Sequence, residues 1–167
     1  MTVLPVRTVP DPVLRTAASP VPAGADVRAL VADMIATMHA VGGVGLAAPQ
    51  VGVLSRVFVM DATRDPEAER RPMVLVNPEV TWTSEELNTY EEGCLSIPDH
   101  YADVTRPAQV KVRWLGLDGK THERDFDGLW ATCAQHEIDH LDGRLFIDYL
   151  GPIKRQMITR KMVKLKR

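Results

Sequence analysis

Two imidazoles and a carboxylate lie within one short run of this chain, His136-Glu137-Ile138-Asp139-His140. On a helix, four residues advance about 400° and rise about 6 Å, so both rings project from one face and can converge on one ion while Glu137 lies close by. The chemistry this suits is hydrolysis, with a metal that activates a water and a carboxylate that takes the water's proton. Two ligands do not close a metal site, and an ordinary solvated helix face can carry the same residues. A third ligand decides between the two readings.

Residues His136 to Gly143 fit the H-E-x-x-H-x-x-G opening of one zinc-protease class, whose third histidine falls three residues after the glycine. That position is Phe146, so the match fails there. His39, His100 and His122 sit at a predicted helix end, in a predicted loop and on a polar predicted strand, and read as surface residues. Only two cysteines remain, and the start of the chain lacks a charged region followed by an apolar run, so the expected compartment is the cytoplasm and a lone disulfide would be unusual there. Cys94 lies in Glu91-Glu92-Gly93-Cys94-Leu95-Ser96, a non-periodic stretch between a strand-like segment and a Pro98 turn, where glycine lets the backbone approach closely. It is either the thiolate that completes a Cys-His-His site or a small buried hydrophobe. Cys133, three residues before His136 on the same predicted helix, reads as the buried hydrophobe. One thiolate and two imidazoles suit zinc or ferrous iron and leave a position for water.

A third stretch, Gly43-Val44-Gly45-Leu46-Ala47-Ala48-Pro49-Gln50, leaves a helix through small residues. It is either a helix stop with close packing or a groove whose backbone pairs with an extended peptide, with Gln50 offering an amide donor where negative charge develops on a carbonyl. It does not match a nucleotide-binding loop, since no glycine or lysine follows at the required spacing.

The elements that must position these residues follow from periodicity. Prolines at 5, 10, 12, 20 and 22 predict an extended N-terminal segment with a turn at Pro10-Asp11-Pro12. Asp26 is the expected cap of a helix whose core face is Val27, Leu30, Val31, Met34, Ile35 and Met38, ended by Gly42-Gly43. Strands are expected at 56–60, 73–77 and 110–114, with a hairpin turn at Leu117-Asp118-Gly119-Lys120 and a polar return strand from Thr121 to Phe126. Asp127 can cap the helix from Gly128 to about Leu141 that carries the His-Glu run, and a last helix spans Pro152 to Lys166. The charged loop from Asp61 to Arg71 reads as a solvated connection. Strands clustered before the central helix favour an α+β fold, with antiparallel-rich strands around that helix, an N-terminal core helix and a C-terminal helix. At 167 residues and 45% hydrophobic content, one domain over 1–167 is expected, and no stretch is long and apolar enough to span a bilayer.

Together the stretches at 43–50, Glu92-Gly93-Cys94-Leu95-Ser96 and Gln135-His136-Glu137-Ile138-Asp139-His140 resemble peptide deformylase, in that family's order and at about its spacing. The resemblance covers nearly the whole chain, and its helical end looks like that of the bacterial type with a C-terminal helix. It implies removal of the formyl group from the formylmethionine of nascent chains, with release of formate. By the same resemblance Cys94, His136 and His140 hold the metal, typically Fe(II) in the cell, with zinc, nickel or cobalt in preparations. A metal-activated water attacks the formyl carbon with Glu137 as general acid and base, and the Gln50 amide and Leu95 N–H stabilise the oxyanion. Gly43, Val44 and Gly45 pair with the peptide backbone, and a pocket near Glu92, Cys133 and His136 receives the methionine side chain. Many bacterial members carry arginine where this chain has Tyr101, so the outer pocket wall departs from the family there.

Net charge is −2, yet residues 153–167 hold seven basic side chains and no acidic one, so the other 152 residues carry 13 basic against 22 acidic. Ile158, Met162 and Leu165 form a narrow apolar seam, and the opposite cationic face is either solubilising or suited to a polyanion. In related deformylases this helix docks on the ribosome near the nascent-chain exit, which makes the ribosome an expected partner; no membrane and no dedicated nucleic-acid target are expected. Two other functions compete: a general metallopeptidase of the H-E-x-x-H type, and a non-catalytic metal-binding or ribosome-binding protein. Against the first stand the glycine loop and Cys94; against the second, Glu137 and Gln50, which a purely structural site does not need.

Overall fold

The computed structural model describes residues 1–63 and 65–166; Arg64 of the charged loop and Arg167 of the basic tail lie outside the described residues. The N-terminal segment runs extended to a 3-10 turn at Pro12–Arg15, where the Asp11 carboxylate accepts the Val13 N–H at 3.0 Å. Helix α1 (Arg28–Ala40) buries Val31, Met34 and Met38, as the periodicity requires. Its capping position is Val27, one residue after the expected Asp26, whose carboxylate still accepts the Arg28 N–H at 3.0 Å.

The main sheet is antiparallel, in the order β1 (Gly45–Ala47), β2 (Val57–Met60), β3 (Met73–Thr83), β6 (Gln109–Leu115), β7 (Thr121–Asp127). β2 is buried on both faces, which is why its four residues are apolar without alternation. Phe58 and Met60 pack with α2 (Gly128–Leu141), while Val57 and Val59 pack with Met34 and Met38 of α1. Ala131, Ala134 and Leu141 give α2 a small-residue face against Phe58, Leu75 and Val112. Helical geometry then turns His136 and His140 away from that face, toward a separate hairpin, while Glu137, three residues after Ala134 and four before Leu141, sits at the face's edge.

That hairpin, β4 (Leu87–Cys94) with β5 (Ile97–Pro107), was not expected from periodicity. The inward residues of β5 are Ala102, Val104 and Arg106, two short apolar groups and a charge, so no hydrophobic alternation is visible. Cys94 ends β4, after the strand-like segment expected before it, and His100, expected in a loop, lies on β5. The register passes from Gly93↔Tyr101 to Cys94↔Ile97, so Pro98, Asp99 and His100 bulge with nothing opposite and re-aim the hairpin tip. β1, at three residues, was too short to show a period.

Helix α3 (Pro152–Leu165) seats Ile158 and Met162 against Leu14, Ile97 and Phe146. Leu165 does not join that seam and is 70% exposed, because the last turn runs past the body; beyond it Lys166 Nζ reaches back to the Thr8 carbonyl at 2.7 Å. Asp61, expected in a solvated loop, is buried, its two carboxylate oxygens taking the N–H groups of Thr63 and Arg71.

Candidate metal centre

The hairpin tip brings Cys94 to α2. Cys94 Sγ lies 3.3 Å from His140 Nε2, and His140 Nε2 lies 3.2 Å from His136 Nε2. All three donor atoms fall within 4.8 Å of one another. Tetrahedral coordination at ordinary metal–nitrogen and metal–sulfur lengths requires edges of roughly 3.3 Å between two nitrogens and roughly 3.6 Å between nitrogen and sulfur. The donor set and its spacing fit one divalent ion of the zinc or ferrous class. Phe146, where a third histidine was sought, instead stacks its ring on His136 with centroids 6.2 Å apart.

Behind His136 stands a charged network whose centre, Glu92 and Arg106, is buried. Glu92 Oε1 meets His136 Nδ1 at 2.9 Å, and both Glu92 oxygens are held by Arg106, at 2.7 Å from Nε and 3.0 Å from Nη2. Arg106 Nη1 donates to Asp139 at 2.8 Å, the Tyr149 hydroxyl donates to the same carboxylate, and the guanidinium lies 4.6 Å from the Tyr149 ring centre. Burial raises the Glu92 pKa, but the bonds from His136 and Arg106 outweigh it and leave the carboxyl below its usual range. A carboxylate can only accept, so His136 carries its proton on Nδ1 and turns the Nε2 lone pair toward Cys94 and His140. Burial, with the nearby Arg106 charge, holds His140 well below its ordinary pKa and so neutral. Sequence reasoning missed Arg106, Asp139 and Tyr149; the one available signal was an arginine two residues beyond Val104 at strand spacing.

Glu137 is 1% exposed, its Oε2 has no hydrogen-bond partner among the described residues, and burial pushes its carboxyl up to about 7. A carboxyl with that value can take and return a proton near neutrality. Gly45 makes room for it: a Cβ there would lie 2.8 Å from Cys133 Sγ and 2.9 Å from Glu137 Oε2. Cys133 is a buried thiol whose pKa burial raises, and its S–H donates to the Val44 carbonyl at 3.5 Å, so it belongs to the wall and not to the donor cluster.

The centre opens into a groove of about 540 Å³. β1 is the edge strand of its sheet, and Gly43 and Val44, which lead into it, line one side of the groove with Gly45, beside a strand edge able to accept an extended chain. Gly93, Cys94, Leu95 and the exposed Tyr101 line the other, with Leu129, Thr132 and Cys133 from α2 and the edge of Glu92 below. Gln50 is buried with its amide Nε2 3.5 Å from Cys94 Sγ. Leu95, next to the cysteine in the chain, lines the groove beside it. Every residue expected in the site therefore borders the centre or the groove.

A family model described as polypeptide deformylase matches residues 3–156. A peptide deformylase of Rhizobium meliloti is 50% identical over 165 residues, covering 98% of this chain and 94% of that one. One from Rhizorhabdus wittichii is 52% identical over 163 residues, covering 95% and 92%. Among solved structures, peptide deformylase of Ehrlichia chaffeensis in complex with actinonin superposes with a TM-score of 0.94 at 38% identity, covering 100% of this chain and 99% of that chain. The Met-Ala-Ser-bound class I type b enzyme of Acinetobacter baumannii gives 0.83 at 40% identity, covering 89% and 99%.

Proposed function

The chain belongs to the polypeptide deformylase family, and from that membership we propose how its own residues remove the formyl group from N-terminal formylmethionine and release formate. The observation that carries the reading is the convergence of Cys94 Sγ, His136 Nε2 and His140 Nε2 beside the unpartnered Glu137 oxygen at the foot of a peptide-sized groove. Cys94, His136 and His140 hold a divalent metal, Fe(II) in the cell. When bound, such an ion supplies Lewis-acid polarisation and lowers the pKa of water.

The rest is the work of the protein. Substrate lies along β1, its backbone against Gly43, Val44 and Gly45, with the methionine side chain in the part of the groove lined by Glu92, Leu129, Cys133 and His136. Glu137 Oε2 takes a proton from the attacking water and returns it to the departing amine, so that the C–N bond breaks to formate and a free N-terminus. The Gln50 amide and the Leu95 N–H receive the negative charge that develops on the formyl oxygen. Burial of Glu137 and Gln50 keeps bulk water from competing for both groups. Residues 1–167 act as one catalytic domain in the cytoplasm.

Formate release from a formyl-Met peptide by anaerobically prepared Fe(II) protein tests the reading, with cleavage of internal peptide bonds as the counter-assay. Glu137→Ala should lower kcat by about a thousandfold with metal retained; wild-type rates in that variant reject the role of Glu137.

The nascent chain also fixes a place of action. α3 presents Lys154, Lys161 and Lys164 with the exposed Ile153 and Met157 on its outer side, and this face docks on the ribosome near the exit tunnel. Co-sedimentation of a variant with those three lysines changed to glutamate checks it, undiminished binding ruling α3 out as the anchor.

A further inference from the structure

Ser96 occupies an unusual position for a turn residue. Leu95 and Ser96 form the two-residue tip joining Cys94 to Ile97, yet Ser96 is fully buried, whereas turns normally face water. What covers the tip is the 3-10 turn Ala48–Val51 and the N-terminal segment. The segment stitches the two together through alternate residues: the Arg7 N–H donates to the Gln50 carbonyl at 2.7 Å, and the Val9 N–H donates to the Ser96 carbonyl at 3.0 Å.

The side chains repeat the connection. Gln50 Oε1 accepts the Ala47 N–H at 2.9 Å, and because a backbone N–H can only donate, the amide orientation is settled and Nε2 faces the hairpin. One of its hydrogens goes to Ser96 Oγ at 3.1 Å, and the other points to Cys94 Sγ at 3.5 Å. The first bond joins two buried groups and is well formed. The second ends on the sulfur assigned to the metal, which has another partner to hold it, so it is the one the amide can give up when a formyl oxygen gains charge beside Cys94.

We propose that Ser96 is a positioning residue for the deformylation step: its hydroxyl holds one Gln50 amide hydrogen so that the other is aimed at the developing oxyanion. This rests on the oxyanion role given to Gln50 above. Ser96 touches neither the substrate nor the metal donors and acts through the amide alone. Preorganisation of this kind lowers kcat when lost and leaves substrate binding and metal content in place.

The test is a double-mutant cycle on the Fe(II) enzyme, using Ser96→Ala, Gln50→Ala and the pair, with kcat, KM and metal content measured for each on a formyl-Met peptide. Ser96→Ala should lower kcat on the order of tenfold, with KM and metal content unchanged. In the Gln50→Ala background the same change should alter kcat by less than about twofold, the limit for coupled rather than independent effects. A full tenfold loss in that background, or a loss of metal, overturns the proposal and leaves Ser96 as a brace for the hairpin. A wild-type kcat in Gln50→Ala alone instead overturns the oxyanion reading of Gln50 itself. Ser96→Cys, which keeps the volume but weakens the acceptor, serves in the same cycle if the alanine variant is unstable, and is expected to fall between the other two.

Discussion

The two sides of the groove are held in place by opposite means. On the β4–β5 side, the buried Glu92 and Arg106, the part-buried Asp139 and the half-exposed Tyr149 form a network of charge-assisted bonds that ends on His136. On the β1 side the arrangement depends on what is missing: Gly45 has no Cβ where one would meet Cys133 and Glu137, and Ala47 and Ala48 pack with no exposed surface. Charge fixes orientation, since an imidazole must present one nitrogen to the metal. Absent volume fixes access, since a peptide backbone and a carboxylate must share a narrow space. The two sides therefore fail differently: one should lose metal and stability, the other turnover.

Arg106→Met is the strongest way to break the first side. It leaves Glu92 buried and Asp139 part-buried without their cation, and removal of one partner from a buried ionic group typically costs about 3–5 kcal/mol. Denaturant unfolding should show that loss, and competition with a chelator should show metal affinity weakened by about 10–100-fold, because His136 loses its fixed orientation. Unchanged metal affinity in a destabilised variant would make the network structural only.

Gly45→Ala tests the other side with a smaller disturbance. The added methyl meets Cys133 Sγ and Glu137 Oε2, and overpacking of this kind costs about 1–3 kcal/mol. Metal content should be untouched while kcat/KM falls by about a hundredfold, since displacement of a reacting group by about 1 Å carries that penalty. Adding Cys133→Ala should restore stability but not turnover if the contact with Glu137 is the damaging one. Recovery of both would place the effect on the sulfur.

The same division explains what was legible in the sequence. α1 and α2 were readable because a single helix face repeats every few residues, and the β6–β7 hairpin because Asp118-Gly119 marks the turn, where Gly119 has φ +76°. Cys94, His136 and His140 were readable as residue types. Arg106 was not, because its partners Glu92, Asp139 and Tyr149 are 14, 33 and 43 residues away and only the fold brings them together. Ser96 was hidden for the same reason, as its burial depends on a segment near residue 9. Leu165 fits the helical period of α3, but periodicity carries no information on where the body beneath a helix ends.

Asp61 offers the finest test, because it gives the β1 side a small electrostatic clamp of its own. Its backbone N–H donates to the Val44 carbonyl at 2.8 Å, at the entrance to β1, while its carboxylate closes the charged loop on Thr63 and Arg71. Burial acts to raise its pKa, but those hydrogen bonds and the nearby Arg70 charge outweigh it and leave the carboxyl below its ordinary value of 3.8. A carboxyl lowered in the folded state binds fewer protons than in the unfolded chain, so its contribution is complete above the unfolded value and disappears as pH falls through the folded one. Asp61→Asn should thus lower stability by about 1 kcal/mol at neutral pH, and urea midpoints should converge with wild type as the pH drops below the carboxylate range. Turnover should move little, because the Val44 contact is made by the backbone and survives the change. A fall in kcat comparable to that of Gly45→Ala would mean that the loop, and not missing volume alone, sets the β1 edge.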